Sequence, residues 1–146
     1  MNISEEIACF SPWDERVSES DIERFGQEIE KHVPLEVREF LTQCNGVSFV
    51  KEHIEISGEV IFSIFSLDVI RKTLERCKLF LPGFFLPIGE TTCGLLGVDI
   101  ERDEGPVYHL MFFDDWVEKQ LEMRVLEESL EALLKKIVAC YKNEKI

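Results

Sequence analysis

Cys93, Asp99 and His109 are the residues that come nearest to a nucleophilic set. A thiol nucleophile needs a histidine within hydrogen-bond reach and an acid that orients the ring. Neither a nucleophile-elbow pattern nor a cysteine-protease signature surrounds them, which argues against that chemistry. His109 with Asp114 and Asp115 matches no ligand spacing of a zinc or calcium site. The five cysteines, Cys9, Cys44, Cys77, Cys93 and Cys140, form no Cys-x-x-Cys pair, so a zinc knuckle or redox motif has no support. Cys44, Cys77 and Cys140 fall on apolar helix faces and read as buried, inert thiols. Gly89, Gly94 and Gly97 lack the Lys-Ser/Thr and the strand-to-helix context of a phosphate loop, and read as sites of tight turns and close strand approach. The expectation is a protein with no catalytic residue, no metal and no cofactor.

What the sequence does offer is acid. The net charge is −13, and residues 99–131 hold 11 acids against 3 bases. A field of this sign repels phosphate backbones, so direct nucleic-acid binding is not expected. It attracts a basic partner and speeds the encounter. Asp99, Glu101, Asp103 and Glu104, with Asp114, Asp115 and Glu118, form the candidate partner-binding surface, and Trp116 is a candidate aromatic anchor. The bland readings stand beside these: turns favour Asp in any protein, and a tryptophan can fold back onto its core.

The elements that position these residues follow from periodicity. Residues 1–19 read as a loosely docked extension, with Trp13 as a clip, and residues 20–146 as one domain. Ser20 with Glu23 has the spacing of a capping box, followed by Ile22, Phe25 and Ile29 at helical intervals. Pro34 suits the first position of a second helix carrying Val37, Phe40, Leu41 and Cys44, with Glu36, Arg38 and Glu39 on its outer face, which ends at Asn45-Gly46. Short β-branched runs over 47–50, 53–56 and 59–65 predict strands, with a turn at Ser57-Gly58. Ser66 opens a third helix. Residues 84–88 predict a strand whose Pro87 suggests a sheet edge or strand end. Residues 89–93 predict a loop, and 95–100 and 107–113 a hairpin. Residues 114–124 predict a polar connection, and 129–142 a final helix capped by Ser129. The pattern is α+β: a single domain with a mostly antiparallel β-sheet and helices packed against it.

Four stretches in this order carry a resemblance. They are VPLEVREFLTQCNGV with Pro34, Phe40, Leu41, Asn45 and Gly46; IFSIFSLDVI; FFLPIGETTCGLLGVDIERDEGPVYHL; and LEESLEALL. Together they resemble the SUKH superfamily, and within it the Smi/Knr-type proteins, over roughly residues 20–142. The chain departs from the family pattern at Glu90-Thr91-Thr92 and at Gly94-Leu95, so any pocket that relatives build from polar residues there is altered here, and Val47 stands where the family has a second glycine after Asn-Gly.

The resemblance implies a binding module that needs no cofactor. Bacterial members are similar to immunity proteins that neutralise toxin domains, often nucleases, by stoichiometric protein binding; the fungal branch implies a scaffold or regulator. The expected partner is a protein, a basic toxin domain, with neither nucleic acid nor membrane bound directly. The absence of an apolar stretch of membrane-spanning length and of a leader-like start implies a cytoplasmic address.

Overall fold

The structure, a computed structural model, describes residues 11–12, 16–49, 52–113 and 120–144. Cys9, Trp13, Asp114, Asp115, Trp116 and Glu118, named above, lie outside the described residues.

The first described helix, α1 (Glu19–Ile29), buries Ile22 and Phe25. Its capping box is Ser18 with Asp21, in place of the expected Ser20 with Glu23. Ser18 Oγ accepts the Asp21 N–H at 3.2 Å, and the Asp21 carboxylate accepts the Ser18 N–H at 3.0 Å. The two pairs overlap with the same spacing, so spacing alone could not separate them. Helix α2 (Leu35–Gln43) follows, with Pro34 one residue earlier than expected, at the cap position, where it offers no side-chain bond. The helix buries Val37, Phe40 and Leu41. Helix α3 (Leu67–Cys77) has Ser66 as its cap, accepting the Val69 N–H at 3.3 Å. Helix α4 (Leu130–Glu144) begins after Ser129, whose Oγ accepts the Ala132 N–H at 3.0 Å.

The strands are β1 (Ser11–Pro12), β2 (Val47–Ser48), β3 (Glu55–Ile56), β4 (Glu59–Ile64), β5 (Phe85–Thr91), β6 (Gly94–Asp99), β7 (Val107–Phe113) and β8 (Gln120–Glu127). They run in the order β1-β2-β4-β5-β6-β7-β8, with β3 paired to β4, and every pairing is antiparallel. The α+β reading therefore holds. One contiguous core joins Ile22 and Phe25 of α1, Phe40 and Leu41 of α2, Ile70 of α3 and Leu133, Leu134 and Ile137 of α4 to Ile64, Leu86, Leu96 and Val107 of the sheet.

Four local readings change. Pro87 sits inside β5, between β4 and β6, and not at an edge. The register slips between Pro87 and Gly89, and this bulge is what lets an interior strand tolerate a residue with no N–H. The expected loop at 89–93 is mostly strand: β5 runs through Thr91, and only Thr92 and Cys93 turn the chain into β6. Residues 120–127 form β8, where a polar connection was expected. Of the three cysteines expected to be buried, Cys77 is buried, whereas Cys44 and Cys140 are half-buried.

Asn45-Gly46 closes α2 by reaching another helix. Asn45 Oδ1 is buried and accepts the Leu67 N–H at 2.9 Å, at the start of α3. Gly46 has φ +86°, and a Cβ there would lie 2.5 Å from the Ser66 nitrogen. Only glycine meets both demands.

Candidate functional site

The β6–β7 turn carries the four expected surface acids that the structure describes, and most of them are committed to holding the fold. Asp103 caps α2 from outside the helix: its Oδ1 accepts the Leu35 N–H at 3.1 Å, and its backbone carbonyl accepts the Glu36 N–H at 3.2 Å. This supplies the partners that Pro34 does not. His32 Nε2 lies 3.4 Å from the same carboxylate. Glu101 receives Lys31 Nζ at 2.6 Å, and that hydrogen bond raises the lysine pKa above its ordinary value. Asp99 Oδ1 accepts the Glu101 N–H at 2.9 Å.

Glu36, expected on the outer face of α2, turns inward instead and completes the brace. It is buried in the first turn of α2. One of its oxygens accepts the Gly105 N–H at 3.2 Å and the other the Glu131 N–H at 3.1 Å, so a single carboxylate ties the β6–β7 turn to the start of α4. A negative group also suits the positive end of each helix.

Beside this brace lies a groove whose lining includes Glu39, Glu104, Glu128 and Glu131, one base, Arg102, and an apolar strip of Pro106 and Val125. Glu104 and Glu128 are exposed, and among the described residues neither side chain makes a hydrogen bond or ion pair. Val125 is 54% exposed. Of the expected acids, Glu104 is thus the one that opens onto the groove. Glu39, Glu128 and Glu131 join it from α2 and from the β8–α4 junction, through tertiary packing that linear charge counting does not reveal.

A second cluster forms where the β3–β4 hairpin tip meets β7 and β8. The pairing places Leu96, His109 and Arg124 in one row across β6, β7 and β8. Glu59, at the start of β4, reaches this row. Arg124 Nη2 donates to Glu59 Oε1 at 2.8 Å and to the Ser57 carbonyl at 3.1 Å. His109 is fully buried; its Nε2 lies 2.8 Å from Thr91 Oγ1, and its Nδ1 faces Glu59 Oε1 at 3.6 Å without a hydrogen bond. Cys93, exposed in the β5–β6 turn, donates its thiol proton to Glu59 Oε2 at 3.4 Å and lies 4.0 Å from His109 Nε2.

The structure therefore brings Cys93 to His109, as the nucleophilic reading required, but the acid is Glu59 and not Asp99. The electrostatics run against a nucleophile. Burial, and then the hydrogen bond and charge of Glu59, push the Cys93 thiol above its ordinary pKa. Burial lowers the His109 pKa, with Arg124 adding to the effect and Glu59 opposing it. Burial also disfavours the charged form of Glu59, but the bonds from Arg124 and Cys93 and the nearby positive charge outweigh it and hold the carboxyl below its ordinary range. A protonated thiol beside an ionised carboxylate is the reverse of an activated cysteine. Glu59, Cys93 and His109 do present three ligand atoms within 4.8 Å of one another.

No helix of the described residues is long and apolar enough to cross a membrane. Comparison with curated proteins and with solved structures gives no match. The profile of the SMI1/KNR4 family (SUKH-1) matches residues 16–136. That span takes in α1, α2, α3 and the first half of α4, the sheet from β2 to β8, the Asn45-Gly46 junction and both clusters. The chain belongs to the SMI1/KNR4 family (SUKH-1).

Proposed function

We propose that this chain is an immunity-type protein that binds and neutralises a basic toxin domain, a nuclease in the simplest case, by forming a stoichiometric complex in the cytoplasm. The observation that carries the reading is the groove beside the β6–β7 turn. Four glutamates line an apolar strip there, and the Glu36 carboxylate ties the turn that carries Glu104 to the start of α4, beside Glu128 and Glu131. Lys and Arg side chains of a partner could lay their stems on Pro106 and Val125 while their heads meet Glu104 and Glu128. Four acids against the single base Arg102 steer encounter and set orientation. The reading is non-enzymatic, and the protonated Cys93 thiol is in keeping with that.

The test is a pull-down with the product of the adjacent gene, followed by association kinetics. Glu104→Lys with Glu128→Lys should slow association and flatten its salt dependence, because each removed charge lowers the screened attraction. Unchanged kinetics would remove the groove from the contact face. A partner encoded elsewhere, and no protection from any neighbouring toxin, would favour a scaffold or regulatory role in place of immunity.

A further inference from the structure

We propose that Glu59 Oε2, Cys93 Sγ and His109 Nε2 form a three-ligand site for Zn²⁺ or a similar borderline divalent cation, with a fourth position open at the exposed Cys93 side. Thiolate, imidazole and carboxylate are the ligands such cations take, and three protein ligands with an open position is an established arrangement. With metal bonds of about 2.3 Å to sulfur and about 2.0–2.1 Å to nitrogen or oxygen, tetrahedral ligand atoms lie about 3.5 Å apart. Here Sγ lies 3.4 Å from Oε2 and 4.0 Å from Nε2. A shift of a few tenths of an ångström in the exposed thiol brings both to the expected spacing, and the metal displaces Thr91 Oγ1, which now lies 2.8 Å from Nε2.

The frame around the ligands is already set. The Cys93 carbonyl accepts the Phe112 N–H at 3.0 Å, and the Thr92 N–H donates to the Val60 carbonyl at 3.2 Å, so the β5–β6 turn is pinned between β7 and β4. Arg124 occupies Glu59 Oε1 and leaves Oε2 to the thiol, which orients the carboxylate as an outer partner does in metal sites. The arginine's positive charge works against the cation, and two anionic ligands, carboxylate and thiolate, are there to offset it. Nδ1 of the fully buried His109 has no hydrogen-bond partner among the described residues and faces Glu59 Oε1 at 3.6 Å. A ligating Nε2 fixes the tautomer that puts the proton on Nδ1, facing that carboxylate, and this matches the histidine–carboxylate pairing seen behind metal-bound imidazoles. On binding, the Sγ–H bond breaks, an Sγ–metal bond forms and the proton passes to solvent, with no change of oxidation state.

The experiment is titration of the reduced full chain with Co²⁺ as probe and competition by Zn²⁺. The expected result is one Co²⁺ per chain with a thiolate-to-metal charge-transfer band, displaced by Zn²⁺. Cys93→Ser should abolish the band, and Glu59→Gln should weaken affinity by at least about tenfold. A chain with Cys44, Cys77 and Cys140 changed to Ser should keep the band. Cys93 is exposed, so Cys93→Ser is expected to fold, and circular dichroism checks this. Failure to take up one Co²⁺ at 1:1 stoichiometry, or an unchanged band in folded Cys93→Ser, would overturn the site. Neither result bears on the acidic groove, which is tested with a protein partner.

Discussion

Asn45 Oδ1 holds the Leu67 N–H at 2.9 Å, and this one bond locks the end of α2 to the start of α3. Both groups are buried, so removing the side chain strands a backbone donor. Asn45→Ala should cost about 1–3 kcal/mol. Gly46→Ala should cost at least as much, since the new methyl meets the Ser66 backbone and the residue must keep φ +86°. Urea midpoints for the two variants check this.

Asp103 and Glu104 are adjacent and should behave oppositely. Asp103→Ala removes the outside cap of α2 and should lower stability by about 0.5–2 kcal/mol. Glu104→Lys breaks no hydrogen bond or ion pair among the described residues and should change stability by less than about 0.5 kcal/mol while slowing association with a basic partner. Denaturation and binding kinetics on the same two proteins separate the roles.

Glu36→Ala should destabilise more than Glu39→Ala. It leaves the Gly105 and Glu131 N–H groups without their acceptor at once. Hydrogen exchange should quicken at both amides, 26 residues apart in sequence, whereas an effect confined to α2 would refute the brace.

Cys44 gives a pH prediction. Burial raises its thiol from 9.0 to about 11. The folded state therefore favours the neutral thiol. The resulting stability is complete below the ordinary value of 9.0 and is lost as pH rises from there through about 11. Cys44→Ser, which can keep the 3.3 Å bond to the Gly46 carbonyl but does not titrate, should flatten this alkaline limb. Urea midpoints between pH 8 and 11 measure it.

Arg124→Ala should loosen the β3–β4 hairpin tip. The side chain bonds both Glu59 and the Ser57 carbonyl, so its loss should raise amide exchange through residues 55–60 and leave α1 and α2 unchanged.

Helices were legible because their apolar residues recur at helical spacing and their caps are local. Val37, Phe40 and Leu41 announce α2, and Ser66 and Ser129 announce the starts of α3 and α4. β8 was not legible. It closes one end of the sheet, and Glu122, Met123, Arg124 and Val125 are all exposed, so no apolar alternation marks it. Pro87 misled because its bulge depends on how β5 and β6 pair.

The acidic turn was found, but its division into capping and open acids rests on contacts such as Glu36 with Glu131, 95 positions apart. The Glu59–Cys93 contact likewise spans 34 positions and shows in no motif. Pairing β6 with β7 across the turn at 101–105 would have aligned Leu96 with His109 and brought Cys93 near it. Nothing local points to Glu59.

The division of labour on the β6–β7 turn has a consequence for divergence. Asp99, Glu101 and Asp103 carry structural duties, so drift at these positions is taxed in folding. Glu104 and Glu128 are under no such restraint. On the proposed reading, a descendant facing a new opponent can invert the charge at 104 and 128 in single steps and keep its architecture, and recognition can evolve faster than the scaffold that displays it.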